Sequence, residues 1–328
     1  MKTFTKLALV SSMALSANAF AMQAMDDSAL SATTGQDGLS IGIGISKIEI
    51  EKLFIHDNDG LKTANGAGTA GAIVIQGNGK SILDDQGNET NAVKDHGVVI
   101  GANYDYLLES GNLADLTIDS DAGAGGGNTA FINIAAEVSG LDIKIGEIGV
   151  TASGVQGSAS TTSALRRGGD ENNYNAIISG LSLKTGTMSA NIQLGAAPQG
   201  AMIQLNTTMI GGLEINNLGI LDNSTASAER AAGEIFIESI KIADADDNDL
   251  TITQDVRVMG ASDSNPDDKG YIQMISHGGA KDHYVQGVHL GSRDAASIGD
   301  VEIQGMQTYY SRAAGEYLPG AVITIRGH

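Results

Sequence analysis

The chain contains no cysteine and no tryptophan, only 3 prolines, and only 4% aromatic residues. The missing thiols exclude disulfides, cysteine nucleophiles, a lipidated N-terminal cysteine and any cysteine-built zinc site. Few aromatic rings remove the flat faces on which sugar sites are commonly built. Positive charge is also scarce: 19 Lys+Arg stand against 39 Asp+Glu, a formal net charge of −20. Phosphates need a basic footprint, so nucleic acid and anionic membrane surfaces are excluded as main partners. After the N-terminus no stretch approaches the ~18 apolar residues of a spanning helix. What is abundant is glycine, 44 in 328 residues, and apolar side chains at 41%, enough to bury a core.

The first 21 residues read as an export signal. Lys2 and Lys6 precede an apolar run from Leu7 to Phe20, and Ala17-Asn18-Ala19 and Ala19-Phe20-Ala21 both fit a signal peptidase site. Cleavage after Ala21 removes two lysines and leaves 19 − 2 = 17 Lys+Arg against 39 Asp+Glu, or −22. Residues 22–37 form a short N-terminal segment, in which Asp26 to Thr33 is the one helical-looking stretch, with Asp26 or Asp27 as its cap and Gly35 as its stop.

From Gly38 the pattern changes to alternation. Leu39, Ile41, Ile43 and Ile45 are spaced by two, as are Ile252, Val256 and Val258 in part, and Ile323 and Ile325. Period-two patterning rich in Ile, Val and Thr and punctuated by Gly, Asn and Asp predicts about fifteen to eighteen strands. The expected fold is all-β: an elongated, irregular, curved sheet, sandwich-like or solenoid-like, with Gly-rich loops, in a single β-rich domain over 38–328. Ala226 to Ala232 is the one candidate short helix within it.

One pattern recurs. Apolar residues fall at i, i+2, i+5 and i+7 in Ile43/Ile45/Ile48/Ile50, Ile143/Ile145/Ile148/Val150, Leu213/Ile215/Leu218/Ile220 and Ile235/Ile237/Ile240/Ile242. Weaker copies lie at Leu183/Thr185/Met188/Ala190 and Val301/Ile303/Met306/Thr308. A gap of three reverses the facing of a strand, so a bulge or corner is expected inside each copy if all four side chains are to point inward. The copies are too unevenly spaced for a fixed-period solenoid.

Few residues suggest chemistry. Gly77-Asn78-Gly79-Lys80-Ser81 lacks the upstream glycine of a phosphate loop, because position 74 is Val, and reads as a hairpin turn. The six histidines are His56, His96, His277, His283, His289 and His328. His283 and His289, if joined by one strand, lie about 20 Å apart, too far to share a metal. No Gly-x-Ser-x-Gly elbow accompanies the many serines. The best chemical signal is acidic: Asp244, Asp246 and Asn248 take positions 1, 3 and 5 of a calcium loop and Asp255 takes position 12, although Asp249 stands where glycine is expected and Asp255 replaces the bidentate Glu. Calcium is accordingly the only cofactor the residues suggest.

The segment Met22-Gln23-Ala24-Met25-Asp26-Asp27-Ser28-Ala29-Leu30-Ser31, followed by Thr34-Gly35-Gln36-Asp37-Gly38-Leu39-Ser40-Ile41, resembles the region after the signal peptide in FilA-like pilus-system proteins of gammaproteobacteria. The resemblance covers about the first forty-five residues and carries no catalytic position. It implies an exported protein of a pilus or fimbrial system, placed in the periplasm, on the cell surface or in the fimbrium. The function expected is a non-enzymatic structural or adhesive component, with other pilus-system or outer-membrane proteins as partners and self-association by strand addition at a sheet edge. The alternative is a periplasmic or outer-membrane-associated β protein whose curved sheet holds an apolar ligand such as lipid. A polysaccharide-degrading enzyme would need paired carboxylates that sequence alone does not place.

Overall fold

The computed structural model describes residues 38–62, 66, 68–82, 86–155, 165–265 and 267–327. The signal peptide, the 22–37 segment with its helical stretch, and His328 lie outside these residues. The chain divides into a unit Met1–Leu39 and a unit Ser40–His328, and the description below concerns the second.

The alternating, Gly-punctuated sequence folds as strands almost throughout, and no α-helix occurs among the described residues. The expected short helix near Ala226 is instead a single 3-10 turn at Asn223–Thr225, capped by the Asp222 side chain, followed by tight turns. The Asp222 carboxylate accepts the Ser224 N–H and the Thr225 hydroxyl donates to the Asp222 carbonyl, so short polar side chains satisfy local backbone groups without a helix.

The strands are arranged in eight antiparallel passes. The first comprises β1 (Leu39–Ile43), β2 (Lys47–Ile50) and β3 (Lys52–His56), and the second β4 (Gly71–Gln76), β5 (Val98–Ala102) and β6 (Ala114–Asp121). The third is β7 (Phe131–Val138), β8 (Leu141–Ile145) and β9 (Glu147–Ser153), and the fourth β10 (Gly169–Lys184) and β11 (Met188–Gly195). The fifth is β12 (Ile203–Met209) and β13 (Leu213–Asp222), and the sixth β14 (Gly233–Asp244) and β15 (Leu250–Met259). The seventh is β16 (Tyr271–His277) and β17 (Lys281–Gly291). The eighth is β18 (Val301–Met306) and β21 (Ala321–Ile325), interrupted by the small hairpin β19 (Tyr309–Tyr310) and β20 (Leu318–Pro319).

Each pass pairs with the passes before and after it. The result is an eight-stranded sheet, β1-β6-β7-β11-β12-β15-β16-β21, and an eleven-stranded sheet in which β18-β17-β14-β13-β10-β8-β5-β2 form the main path and β3, β4 and β9 extend it. Consecutive pairing is the simplest topology for antiparallel strands that follow one another along the chain. Neither sheet closes into a barrel.

In all six copies of the recurring pattern the break overlaps the gap of three. In Ile43/Ile45/Ile48/Ile50 and Leu183/Thr185/Met188/Ala190 the break is a corner, at 44–46 and 185–187, where the chain passes from one sheet to the other. Ile143/Ile145/Ile148/Val150 breaks at Gly146, between β8 and β9. A side chain there would place its Cβ 2.3 Å from the Gln76 carbonyl oxygen. In β13, β14 and β17 the ladder skips Asn217, Glu238 and Gly287, which stand opposite one another; Asn217 and Gly287 are left-handed at φ 59° and 62°. Gln304 and Gly305 mark the shift between β17 and β18.

The expectation that these breaks keep all four apolar residues inward is not met. Val150, Ile220 and Ile235 are exposed, and burial passes to the intervening Gly149, Gly219 and Phe236. In β13, β14 and β17 the pairing crosses the break without gaining or losing a residue, so the break does not restore the facing that the spacing would require. Buried apolar side chains are correspondingly few, among them Ala72, Val74, Val98, Val99, Phe236, Leu250 and Ile275.

Candidate functional site

The register of the eleven-stranded sheet assembles two rows that no single strand reveals. Ile48, Ile100, Ile143, Leu183, Ile215, Ile240, Val285 and Val301 are successive cross-strand partners, so one apolar ladder runs from β2 to β18. The adjacent positions form a second row on the opposite face: Lys47, Gly101, Asp142, Lys184, Glu214, Lys241, Tyr284 and Glu302. Its charges alternate in sign from Asp142 to Lys241. Directly opposed unlike charges contribute about 0.2–1 kcal/mol per pair, and apolar β-branched pairs about as much. The six central members of the apolar ladder are half-buried, while Ile48 and Val301 at its ends are exposed.

Below the line of breaks the same sheet shows different faces. Ile55, Ile73 and Val150 pair across β3, β4 and β9, and Ile220, Ile235 and Leu290 pair across β13, β14 and β17. All six are exposed, Ile55 by 58% and Leu290 by 51%. Singly exposed apolar side chains are ordinary on a surface, but these are ranked in two cross-strand rows.

The positions between these residues carry a buried polar cluster. Arg293, from the loop after β17, donates to both carboxylate oxygens of Glu234, at 2.7 Å to Oε1 and 3.1 Å to Oε2, and also to Ser179 Oγ at 2.9 Å. Ser179 Oγ in turn donates to Glu234 Oε1 at 2.7 Å. The guanidinium lies 4.8 Å from the centre of the Phe236 ring. His289 Nδ1 is 2.6 Å from the Ala295 carbonyl and its Nε2 is 3.2 Å from Glu238 Oε1. Burial pushes the Glu234 carboxyl up, but the Arg293 and Ser179 hydrogen bonds together outweigh it and hold its pKa below the usual value. The Ala295 carbonyl draws the His289 pKa upward against partial desolvation, with help from Glu238. A bidentate pair of this kind fixes the 292–300 loop on the sheet. Its members were not visible in the sequence, because Ser179, Glu234 and Arg293 are brought together only by strand order.

Of the four positions of the expected calcium loop, Asp244, Asp246 and Asn248 line one open cleft, and Asp255 lies apart from them in β15. Asp244 ends β14, accepts the Thr251 N–H at 3.0 Å and is ion-paired with Lys281. Residues 245–249 bulge out as a closed loop, with the Asp244 N–H bonded to the Asp249 carbonyl at 2.7 Å. Asp244, Asp246 and Asn248 lie at an open cleft beside this loop, lined also by Asp282, His283 and Tyr284. Asp255 is five residues into β15, paired with His277 at 3.3 Å and accepting from Gln204 at 3.2 Å, about 17 Å along the strand from the loop. No group of three or more potential metal ligands is assembled among the described residues. The strand that carries Asp255 away replaces the second helix that would return it to the loop.

The histidines are likewise dispersed. His56 Nδ1 contacts Ser153 Oγ at 2.7 Å, and His283 and His289 do share β17, with His283 opposite Ile242 and Ile303. The Gly77–Ser81 turn does not join β4 to β5, which do not pair with each other; the arms of the excursion it opens are linked by the Asn78 N–H to the Val93 carbonyl and the Gly79 N–H to the Lys94 carbonyl, each at 3.0 Å. Within it Glu89 accepts the Ile82 and Asn91 N–H groups, which hold its pKa down at about 2.

The sequence profile of a family of unknown function (DUF6160) matches residues 1–100, which end in the second pass at β5. No curated protein and no solved structure matches the chain.

Proposed function

We propose that this protein is an exported, non-catalytic structural or adhesive component of a pilus-like surface system. The observation that carries the reading is the exposed apolar surface of the sheet, the paired rows Ile55–Ile73–Val150 and Ile220–Ile235–Leu290. A sheet that leaves such rows open is completed by contact with other molecules, as building blocks are. The similarity of residues 22–41 to FilA-like proteins and the signal-like first 21 residues point the same way.

Immunogold labelling of intact cells with an antibody raised against residues 38–328 tests this. Decoration of surface filaments supports it; retention in the periplasm removes it. The apolar ladder, half-buried from Ile100 to Val285, favours a second reading, in which the sheet carries an apolar ligand such as lipid. Solvent extraction of the purified protein followed by mass spectrometry separates the two, since only the second requires a stoichiometric lipid.

A further inference from the structure

Both ladders of the eleven-stranded sheet stop at open edges. At one edge β2 presents Lys47 and Ile48, and at the other β18 presents Val301 and Glu302. Neither strand has a second partner among the described residues. Natural sheets blunt such edges with proline, charge, bulges, short strands or a covering segment. Here neither strand contains proline; the charges at the row position are of opposite sign, Lys47 on β2 and Glu302 on β18, and the bulge at 304–305 lies beyond Val301 and Glu302, while every residue of β18 is exposed, with Val301, Ile303 and Met306 apolar.

The two edges match each other. Seven successive antiparallel pairings separate β2 from β18, so the two strands run in opposite directions and antiparallel joining requires no reversal. Placed side by side in the register of the existing rows, Ile48 meets Val301 and extends the apolar ladder. Lys47 then meets Glu302, restoring an opposite-sign pair at the junction. We infer that the β18 edge of one molecule accepts the β2 edge of a second copy of this chain, adding sheets head to tail with Ile48 opposite Val301 and Lys47 opposite Glu302. Such a heterologous contact repeats, giving open filaments or rings according to the rotation per copy. The inference rests on the structural reading above and names the partner in it.

The cysteine-free sequence makes the test direct. Variants Ile48→Cys and Val301→Cys, both at exposed positions, are mixed under mild oxidation; antiparallel partners are close enough for a disulfide. A mixed dimer should form faster than between Ile48→Cys and Tyr104→Cys, a control at an exposed loop position. The chain bearing both Ile48→Cys and Val301→Cys should give a ladder of oligomers on a non-reducing gel. An exclusively internal cross-link would mean that the sheet closes on itself, and rates equal to the control would mean no edge contact; either overturns the inference. Independently, Lys47→Glu should raise the concentration midpoint for association of the otherwise unmodified protein about threefold, and adding Glu302→Lys should restore it. An unchanged midpoint also overturns it. Filament decoration on cells without the edge cross-link would remove this inference alone, whereas cross-linked ladders from a protein absent from filaments would remove the surface reading alone.

Discussion

The Arg293–Glu234 pair offers the sharpest quantitative test of the fold. Arg293→Ala leaves the Glu234 carboxylate, whose side chain is only 9% exposed, with Ser179 as its remaining hydrogen-bond donor. Removing one member of a fully buried pair costs about 3–5 kcal/mol. Because the Arg293 side chain is 36% exposed, water replaces part of what is lost, and about 2–3 kcal/mol is expected. Urea unfolding measures it, provided the midpoint falls without a change in slope. Glu234→Gln keeps one acceptor for Arg293 and should cost less, and the apolar double variant Arg293→Met with Glu234→Leu should recover much of the loss. The depressed Glu234 pKa fixes the pH dependence. Its contribution is present above the unfolded carboxyl value, near 4.3, and is lost as pH falls through the lower folded value. A cost under about 0.5 kcal/mol for Arg293→Ala, or a double variant no better than the single, would refute the clamp.

The raised His289 pKa predicts the opposite trend for the 292–300 loop: its hold is complete below about pH 6.5 and weakens as pH rises through the folded value, so hydrogen exchange at Ile298, corrected for intrinsic rates, should show protection falling with pH in the parent and not in His289→Ala. Ile215→Asp, between Leu183 and Ile240, should destabilise by several kcal/mol, whereas Ile235→Asp on the exposed row should cost under about 1; equal effects would show that spacing, not burial, governs the strands. Calcium at millimolar concentration should leave the melting temperature unchanged, because Lys281 already neutralises Asp244 and Asp255 is held away; an upward shift that Asp244→Ala abolishes would contradict this placement. Gly287→Ala should destabilise by about 1 kcal/mol, since φ is left-handed at 62° and the exposed Glu238 side chain must also move aside; a neutral outcome in urea melts would remove the strain argument.

Period-two spacing was enough to determine strands, and the gap of three was enough to place the break in each of the six copies though not the other corners, because both are properties of a single strand read along its own backbone. Spacing did not determine which side of each break is buried. Ile215 and Ile220 are equivalent in the pattern, yet one is half-buried in the ladder and the other exposed, since facing depends on whether neighbouring strands gain a residue at the break. The same limit applies to chemistry. Asp244 and Asp255 are eleven positions apart in a suggestive order, but a loop followed by an extended strand separates them, where a returning helix would have joined them. Ser179, Glu234 and Arg293 carry no local signal at all, and the alternating charges from Asp142 to Lys241 come from strands scattered over a hundred residues. Only the pairing of one pass with the next, a long-range choice made by the whole sheet, sets these groups side by side.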